Sequence, residues 1–282
     1  MRPRAASENG ERVALVTGAS SGIGRAAAAA LAACGWRVFG AARRAPADAG
    51  PRSFMVLDVR DADSVRRCVS EVETSAGRID LLVNCAGIVI GGSAEEMLPD
   101  EVLDQVQTNL LGTMRMCQAV LPGMRARGSG RMVNVGSLAG LMGLPFQSAY
   151  SASKYGIEGF SESLQIEVRS FGIRVVVVDP GDIATEITAH RLTSRGMGAG
   201  SPYGSDYARA MRSQAEGEAQ GWSPDRCARV IARIAQARSP RFRYTPGPLV
   251  ERLSPVARHL IPDRLFLRIL EGFYGMSGSR RP

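Results

Sequence analysis

Six short runs dominated by Val, Leu and Ile recur along residues 12–181, and this rhythm constrains the fold more than any other feature. They are "RVALVT" (12–17), "WRVFGAA" (36–42), "SFMVLDV" (53–59), "IDLLVNCAG" (79–87), "GRMVNVGS" (130–137) and "IRVVVVDPG" (173–181). Runs that stay apolar at successive positions suit strands covered on both faces; a strand wet on one side alternates polar and apolar residues. Between them lie stretches of helical character: "GRAAAAALAACG" (24–35), closed by Gly35, and the regions near 61–76, 99–127 and 148–171. Strands and helices alternating at this spacing predict an α/β fold, one doubly wound parallel sheet flanked by helices.

The same pattern divides the chain. Residues 1–11, rich in Arg, Ser, Glu and Gly, are expected to form a disordered leader. A single domain without repeats is expected over 12–247. Within it, residues 182–221 combine weak periodicity with many Gly and Ser, the composition of a lid loop. A helix (223–238) and a short strand (241–245) follow. The extension 248–282 holds an amphipathic stretch at 248–276 interrupted by Pro255 and Pro262. It is expected to pack on its own domain or on a partner subunit, with a membrane surface disfavoured.

Composition narrows the function. The formal net charge is +8, but the arginines are spread along the chain, so nucleic-acid binding is not expected. No apolar run approaches the roughly 18 residues of a membrane span. The N-terminal "MRPRAASENGER" has no apolar signal core, and the five cysteines form no C-x-x-C pair. Free thiols in a reducing cytoplasm are expected, with the cysteines filling the core. Two histidines, His190 and His259, are too few for a His-based metal site and read as surface or loop residues, so no metal is expected.

At "VALVTGASSGIGRA" (13–26) the first strand turns into the first helix. Gly18, Gly22 and Gly24 have separate uses there: a tight turn, close backbone approach and close helix packing. A pyrophosphate at this place meets unpaired N–H groups at the positive end of the helix dipole. The spacing is G-x-x-x-G-x-G, distinct from the commoner G-x-G-x-x-G.

The 35 basic residues are 34 Arg and a single Lys, Lys154, which follows Tyr150 by four positions. In a helix the two side chains share one face. A cation about 4 Å from a phenol contributes at most about 4 kcal/mol at an effective dielectric of about 20. That is an upper bound of about three pKa units on a Tyr that otherwise titrates near 10, and desolvation takes part of it back. A Tyr moved towards working pH is an effective general acid/base. A compact ammonium suits that role; a rigid guanidinium fork does not.

Thr17-Gly18-x-x-x-Gly22-x-Gly24, "NCAG" (84–87), Asn109, Ser137, Tyr150-x-x-x-Lys154 and Pro180-Gly181 follow one another along about residues 12–245. In order and spacing this set resembles the short-chain dehydrogenase/reductase family, in its standard, non-extended branch. One departure is Cys85, where that family most often has a second Asn. The resemblance implies a Rossmann-type fold and an oxidoreductase that moves hydride between a nicotinamide cofactor and a ketone or secondary alcohol. Tyr150 would be the general acid/base. Lys154 would hold the nicotinamide ribose and lower the Tyr pKa, Ser137 would orient the carbonyl, and Asn109 would position a water of a proton relay. Contacts to the cofactor are implied for Ser20, Ser21 and Ile23 beside the three glycines, and for Asp58 and Val59 at the adenine. The resemblance adds Asn84, Ala86 and Gly87, then Pro180, Gly181, Ile183 and Thr185 near the nicotinamide. The family usually dimerises through the helices at 99–127 and 148–171, which implies a homodimer or homotetramer.

The second strand ends in "FGAARR", with Ala42 where a carboxylate would bind the ribose hydroxyls of NAD. A guanidinium pairs well with phosphate, and by resemblance Arg43 and the Ser21 hydroxyl would hold the 2′-phosphate of NADP(H). The segments "GIVIGG" (87–92) and "LAGLMGLPFQ" (138–147), with Met197 and Tyr203, are apolar. They suit a lipophilic, steroid-, retinoid-, terpenoid-, fatty-acyl- or polyketide-like small molecule. One alternative is a 3-oxoacyl-(carrier protein) reductase, with an acidic carrier docking on Arg125, Arg127, Arg131 or Arg169. A second is a dinucleotide-sensing binding protein without chemistry, against which the intact Asn109, Ser137, Tyr150 and Lys154 stand.

Overall fold

The structure is a computed structural model, and it describes residues 11–46, 54–184 and 191–276, with the His259 side chain excepted. Thr185, His190, residues 1–10 of the leader and the last six residues lie outside the described residues. In chain order the elements are β1 (Val13–Thr17), α1 (Gly22–Ala33), β2 (Arg37–Ala42), β3 (Phe54–Val56), α2 (Ala62–Ala76), β4 (Leu81–Asn84) and β5 (Ile90–Gly91). Next come α3 (Pro99–Val106), a π-helical turn (Gln107–Leu111), α4 (Gly112–Ala126), β6 (Gly130–Val135), α5 (Ser148–Val168) and β7 (Ile173–Val178). Last are β8 (Leu192–Thr193), α6 (Gly204–Gln220), α7 (Pro224–Gln236), β9 (Arg243–Tyr244), α8 (Leu249–Leu260) and α9 (Asp263–Phe273).

Seven strands form one parallel sheet in the order β3-β2-β1-β4-β6-β7-β9. The continuous apolar runs are explained by burial on both faces. Leu15, Leu82, Met132 and Val175 enter one core with Phe39 and Met116. Their neighbours Val16, Val83, Val133 and Val176 enter the other with Leu31 and Ile231. Successive strand residues thus serve opposite layers, and truncating one such Leu to Ala typically costs about 2–5 kcal/mol. Strand order reverses at β1, between β2 and β4, and in a doubly wound sheet the ligand crevice opens at that reversal, beyond the carboxyl ends of the strands. The expected fold is the observed one.

Local details differ from expectation. The run at 53–59 gives a strand of only three residues, β3, so Asp58 and Val59 lie beyond it. The helix at 99–127 is divided by the π-helical turn, which carries Asn109. The supposed lid loop contains β8, paired with β5, and the 17-residue helix α6. Pro255 lies inside α8 and does not interrupt it. Proline lacks the N–H that would reach the Glu251 carbonyl, and the Ser254 hydroxyl donates to that carbonyl instead, at 2.7 Å. Among the described residues, no helix is long and apolar enough to cross a membrane, and no His, Cys, Asp and Glu cluster could hold a metal.

Candidate active site

At the end of β1 the Thr17 hydroxyl accepts from the N–H groups of Cys85 and Ala86, at 3.1 and 3.2 Å. Gly18 follows with φ +65°, and a Cβ there would lie 2.9 Å from the Cys85–Ala86 backbone. Gly18 therefore serves both the left-handed turn and the close approach of two strand ends. A Cβ on Gly24 would run into the Gly18 carbonyl, so α1 is pressed onto the turn that precedes it. Ser21 is the N-cap of α1, but its side chain makes no capping bond. The first-turn N–H groups of α1, with no side-chain cap, suit an anionic group such as a pyrophosphate. Thr17 as a clamp was not assigned from the sequence; its signal is a hydroxyl residue closing an apolar strand just before the first glycine.

Arg43 and Arg44 are exposed beyond β2, with no ion pair among the described residues. Asp58 is gripped by Arg60, with Nη2 at 2.8 Å and Nε at 3.1 Å, and the Asp58 N–H donates to Ser64 Oγ at 3.1 Å. The bond from Arg60 holds the Asp58 carboxyl below its usual range against the opposing effect of burial, with Arg43 adding a smaller pull. Arg60 was not foreseen. Val59 packs in the core and its carbonyl accepts from Arg115 at 3.3 Å.

Two positions expected to touch the cofactor also make contacts inside the domain. The Asn84 side chain is buried and donates to Asn134 Oδ1 at 2.9 Å; Asn134 in turn donates to Ser161 Oγ at 2.9 Å. It joins β4, β6 and α5 inside the domain. Ile183 packs in the core, and its segment bridges to Trp222.

Tyr150 and Lys154 stand one turn apart on α5. The Lys154 ammonium donates to the Val135 carbonyl at 2.8 Å and lies 5.7 Å from the Tyr150 ring centroid. Burial lowers the Lys154 pKa to about 8, against the attraction of Asp179. Burial raises the Tyr150 pKa, and a hydrogen bond with Ser137 opposes it. Burial of the phenol thus works against the lowering of the Tyr150 pKa expected from the sequence. Ser137 caps the short 3₁₀ turn at 138–140, accepting from Ala139 N at 3.1 Å. The π-helical turn aims the fully buried Asn109 at Ile88, exchanging bonds with its N–H (2.8 Å) and carbonyl (3.0 Å). Asn109 also donates to Ser153 Oγ at 3.1 Å, which donates to the Tyr150 carbonyl at 2.7 Å. Asn109 is thus joined to the turn carrying Tyr150, with no direct bond to Lys154.

Behind this group lie Asp179 and Glu158, both buried and missed by sequence reasoning, although Glu158 follows Lys154 by one helical turn. Asp179 Oδ1 accepts from the Ser137 N–H at 3.2 Å, and Arg243 bonds Glu158 at 2.6 Å and lies 3.4 Å from Asp179. Burial, then the charge of Glu158 and the bond to it, push the Asp179 pKa up, as when two carboxyls share a proton.

The segment 191–220 is tied down over the Tyr150 side. Glu101 accepts from Ser194 Oγ (2.6 Å), Arg195 N (2.9 Å) and Arg195 Nε (3.0 Å). Burial alone would raise its pKa, but these bonds bring it to about 2. Arg191 and Glu218 form a buried ion pair, and Gln147 donates to Gln214. Phe146, at φ +61°, packs edge-on against Tyr207 with centroids 5.6 Å apart. A groove of about 440 Å³ lies beside this contact, lined by Pro145, Phe146, Tyr203 and Met276 among others; Tyr150 is not part of its lining. From α8, Glu251 lies against Gly181 and accepts from Asp182 N at 2.9 Å.

A glycine cradle at the reversal point of a doubly wound sheet, with Ser137, Tyr150 and Lys154 on the same side of that sheet, defines a class: dinucleotide-dependent oxidoreductases. The family model described as short chain dehydrogenase matches residues 12–196, and the chain belongs to that family, whose members use nicotinamide dinucleotides. It is 37% identical over 265 residues to a 3-ketodihydrosphingosine reductase of Bacteroides thetaiotaomicron, covering 94% of this chain and 98% of that protein. It is 40% identical over 184 residues to a 3-oxoacyl-(acyl-carrier-protein) reductase of Vibrio harveyi, covering 63% of this chain and 75% of that one. A crystal structure of a short-chain dehydrogenase from Streptomyces avermitilis superposes with a TM-score of 0.78 at 33% identity, covering 96% of this chain and all of the other.

Proposed function

We propose that the protein reduces a lipophilic, long-chain ketone with NADPH. The observation that carries this reading is the placement of Tyr150 and Lys154 one turn apart on α5, with the Lys154 ammonium bonded to the Val135 carbonyl at the carboxyl end of β6 and Ser137 two residues beyond it. The cradle at Gly18 and Gly24 and the N-terminus of α1 suit the pyrophosphate of the cofactor. Arg43 and Ser21 would hold its 2′-phosphate, and Lys154 its nicotinamide ribose. When bound, NADPH would supply the hydride for the carbonyl carbon. Tyr150 gives its hydroxyl proton to the carbonyl oxygen, and Ser137 donates a hydrogen bond that orients that oxygen. The Tyr150 oxygen would regain its proton from solvent, with the Lys154 ammonium 5.7 Å from the tyrosine ring centroid.

The likeness to the 3-ketodihydrosphingosine reductase spans nearly both chains, extension included. It supports a long-chain 3-keto base as the first substrate to test. The second reading, 3-oxoacyl reduction on a carrier protein, is supported by the relative from Vibrio harveyi. A panel of 3-ketodihydrosphingosine, water-soluble ketones and 3-oxoacyl-carrier substrates, followed by NADPH absorbance, separates the two. Turnover confined to the carrier-bound substrates would refute the first.

A further inference from the structure

We infer that α8 and α9 form a docking face for an anionic bilayer surface at the rim of the catalytic site. This reverses the expectation that the extension packs wholly on protein. Of the fifteen large apolar side chains exposed among the described residues, nine lie between 249 and 273. In α8, Leu249, Leu253, Val256 and Leu260 recur at helical spacing, each between 53% and 78% exposed, and none of the described side chains in that helix is buried. Helix α9 is apolar on two sides. Phe266 and Tyr274 turn into the body of the domain, where Ser213 of α6 donates to the Phe273 carbonyl at 3.0 Å. Leu265, Ile269 and Phe273, one turn apart, are more than half exposed. A stripe that faces water on one helix and continues onto the outer side of the next is a surface awaiting a cover.

Charge complementarity selects the occupant. Exposed Arg252, Arg264 and Arg268 stand among these apolar residues without an ion pair among the described residues. Arg258 is paired with Asp263, Glu251 is turned inward onto Asp182, and Glu271 is the remaining exposed carboxylate. Apolar stripes interleaved with excess Arg suit the headgroup region of an anionic bilayer. Helices of 12 and 11 residues are too short to cross the roughly 30 Å hydrocarbon layer and would lie in its surface. The inner end of α8 touches Gly181 and Asp182, so the face adjoins the segment expected to pass the nicotinamide. A ketone dissolved in the bilayer would reach the site without passing through water.

The test is co-sedimentation of the full chain with phosphatidylcholine vesicles, with and without about 30 mol% phosphatidylglycerol. Binding is expected to the anionic vesicles, weakening as salt rises from about 0.1 to about 0.5 M. The quadruple variant Leu253→Ser, Leu260→Ser, Leu265→Ser, Ile269→Ser should lose at least about tenfold in partitioning, with unchanged turnover of a water-soluble ketone. Wild-type protein that ignores anionic vesicles, or a quadruple variant that binds them equally, overturns the inference. An oligomer that the same substitutions split, in a protein that does not bind vesicles, would make this face a contact with a second copy instead. Vesicle binding is read without substrate or cofactor, so its failure and that of the ketone reading are separable.

Discussion

Lys154 and Tyr150 occupy one face of α5, yet the Lys154 ammonium is directed at the Val135 carbonyl, 2.8 Å away, and lies 5.7 Å from the tyrosine ring centroid. The lysine is anchored at the carboxyl end of β6, where the cofactor ribose is expected. Two demands meet on one residue: it must stay charged while buried, and burial has already lowered its pKa to about 8.

That value predicts a pH dependence. Lys154 loses its proton as pH rises through about 8, so NADPH affinity is expected to weaken above that pH. Fluorescence titrations from about pH 6 to about pH 10 should show this limb, and Lys154→Met should lack it. Between about 8 and the ordinary lysine value of 10.5 the unfolded chain binds more protons at this residue than the folded one, so the Lys154 contribution to stability increases with pH in that window. Lys154→Arg is expected to lower kcat by about tenfold or more, because the guanidinium fork cannot replace a compact ammonium.

Arg43 is exposed and unpaired among the described residues, and this predicts cofactor preference. Wild-type kcat/KM should favour NADPH over NADH by at least about tenfold. A hydrogen bond to a charged group contributes about 1.5–3 kcal/mol. Arg43→Ala should therefore lose about ten- to a hundredfold in kcat/KM with NADPH and little with NADH. Equal use of both cofactors by the wild type contradicts the 2′-phosphate assignment.

Gly24 leaves no room for a methyl group beneath the Gly18 carbonyl. Gly24→Ala is expected to destabilise the fold by about 1–3 kcal/mol and to weaken NADPH binding, because α1 must move away from the turn. Thermal unfolding and cofactor titration check both; an unchanged Tm with unchanged binding refutes the packing argument.

Asp179 is raised in the folded state by burial and by Glu158. A carboxyl raised on folding contributes stability that is complete below its unfolded value of 3.8 and is lost as pH rises through the folded value. Asp179→Asn keeps the bond to the Ser137 N–H and removes the titration. It should flatten the stability profile and, near pH 8, stabilise the protein by on the order of 1 kcal/mol. Unfolding midpoints of wild type and variant across about pH 5–9 decide this; parallel profiles contradict it.

Much of this molecule was legible in the sequence because strand burial writes itself as consecutive Val and Leu, as in "RVVVV" of β7. The glycine turn and the i, i+4 placement of Tyr150 and Lys154 were readable for the same local reason. What escaped depends on distant partners. Helix α6 has a polar sequence, and its order comes from contacts such as Arg191–Glu218 and Gln147–Gln214. The Asn84 side chain is bonded to Asn134, fifty positions away, a pairing that no local pattern shows. A helical wheel likewise shows the cation one turn from Tyr150 but not the burial that pushes the phenol's pKa the other way.

The most direct test of the account is Tyr150→Phe, measured for NADPH binding and for ketone reduction in the same preparation. The account predicts that reduction falls by about a thousandfold or more, as when a general acid is removed, while the NADPH Kd stays within about twofold because the substitution leaves the cradle at Gly18, Gly24 and Lys154 in place. Full turnover by the variant would contradict the assignment of Tyr150 as the proton donor.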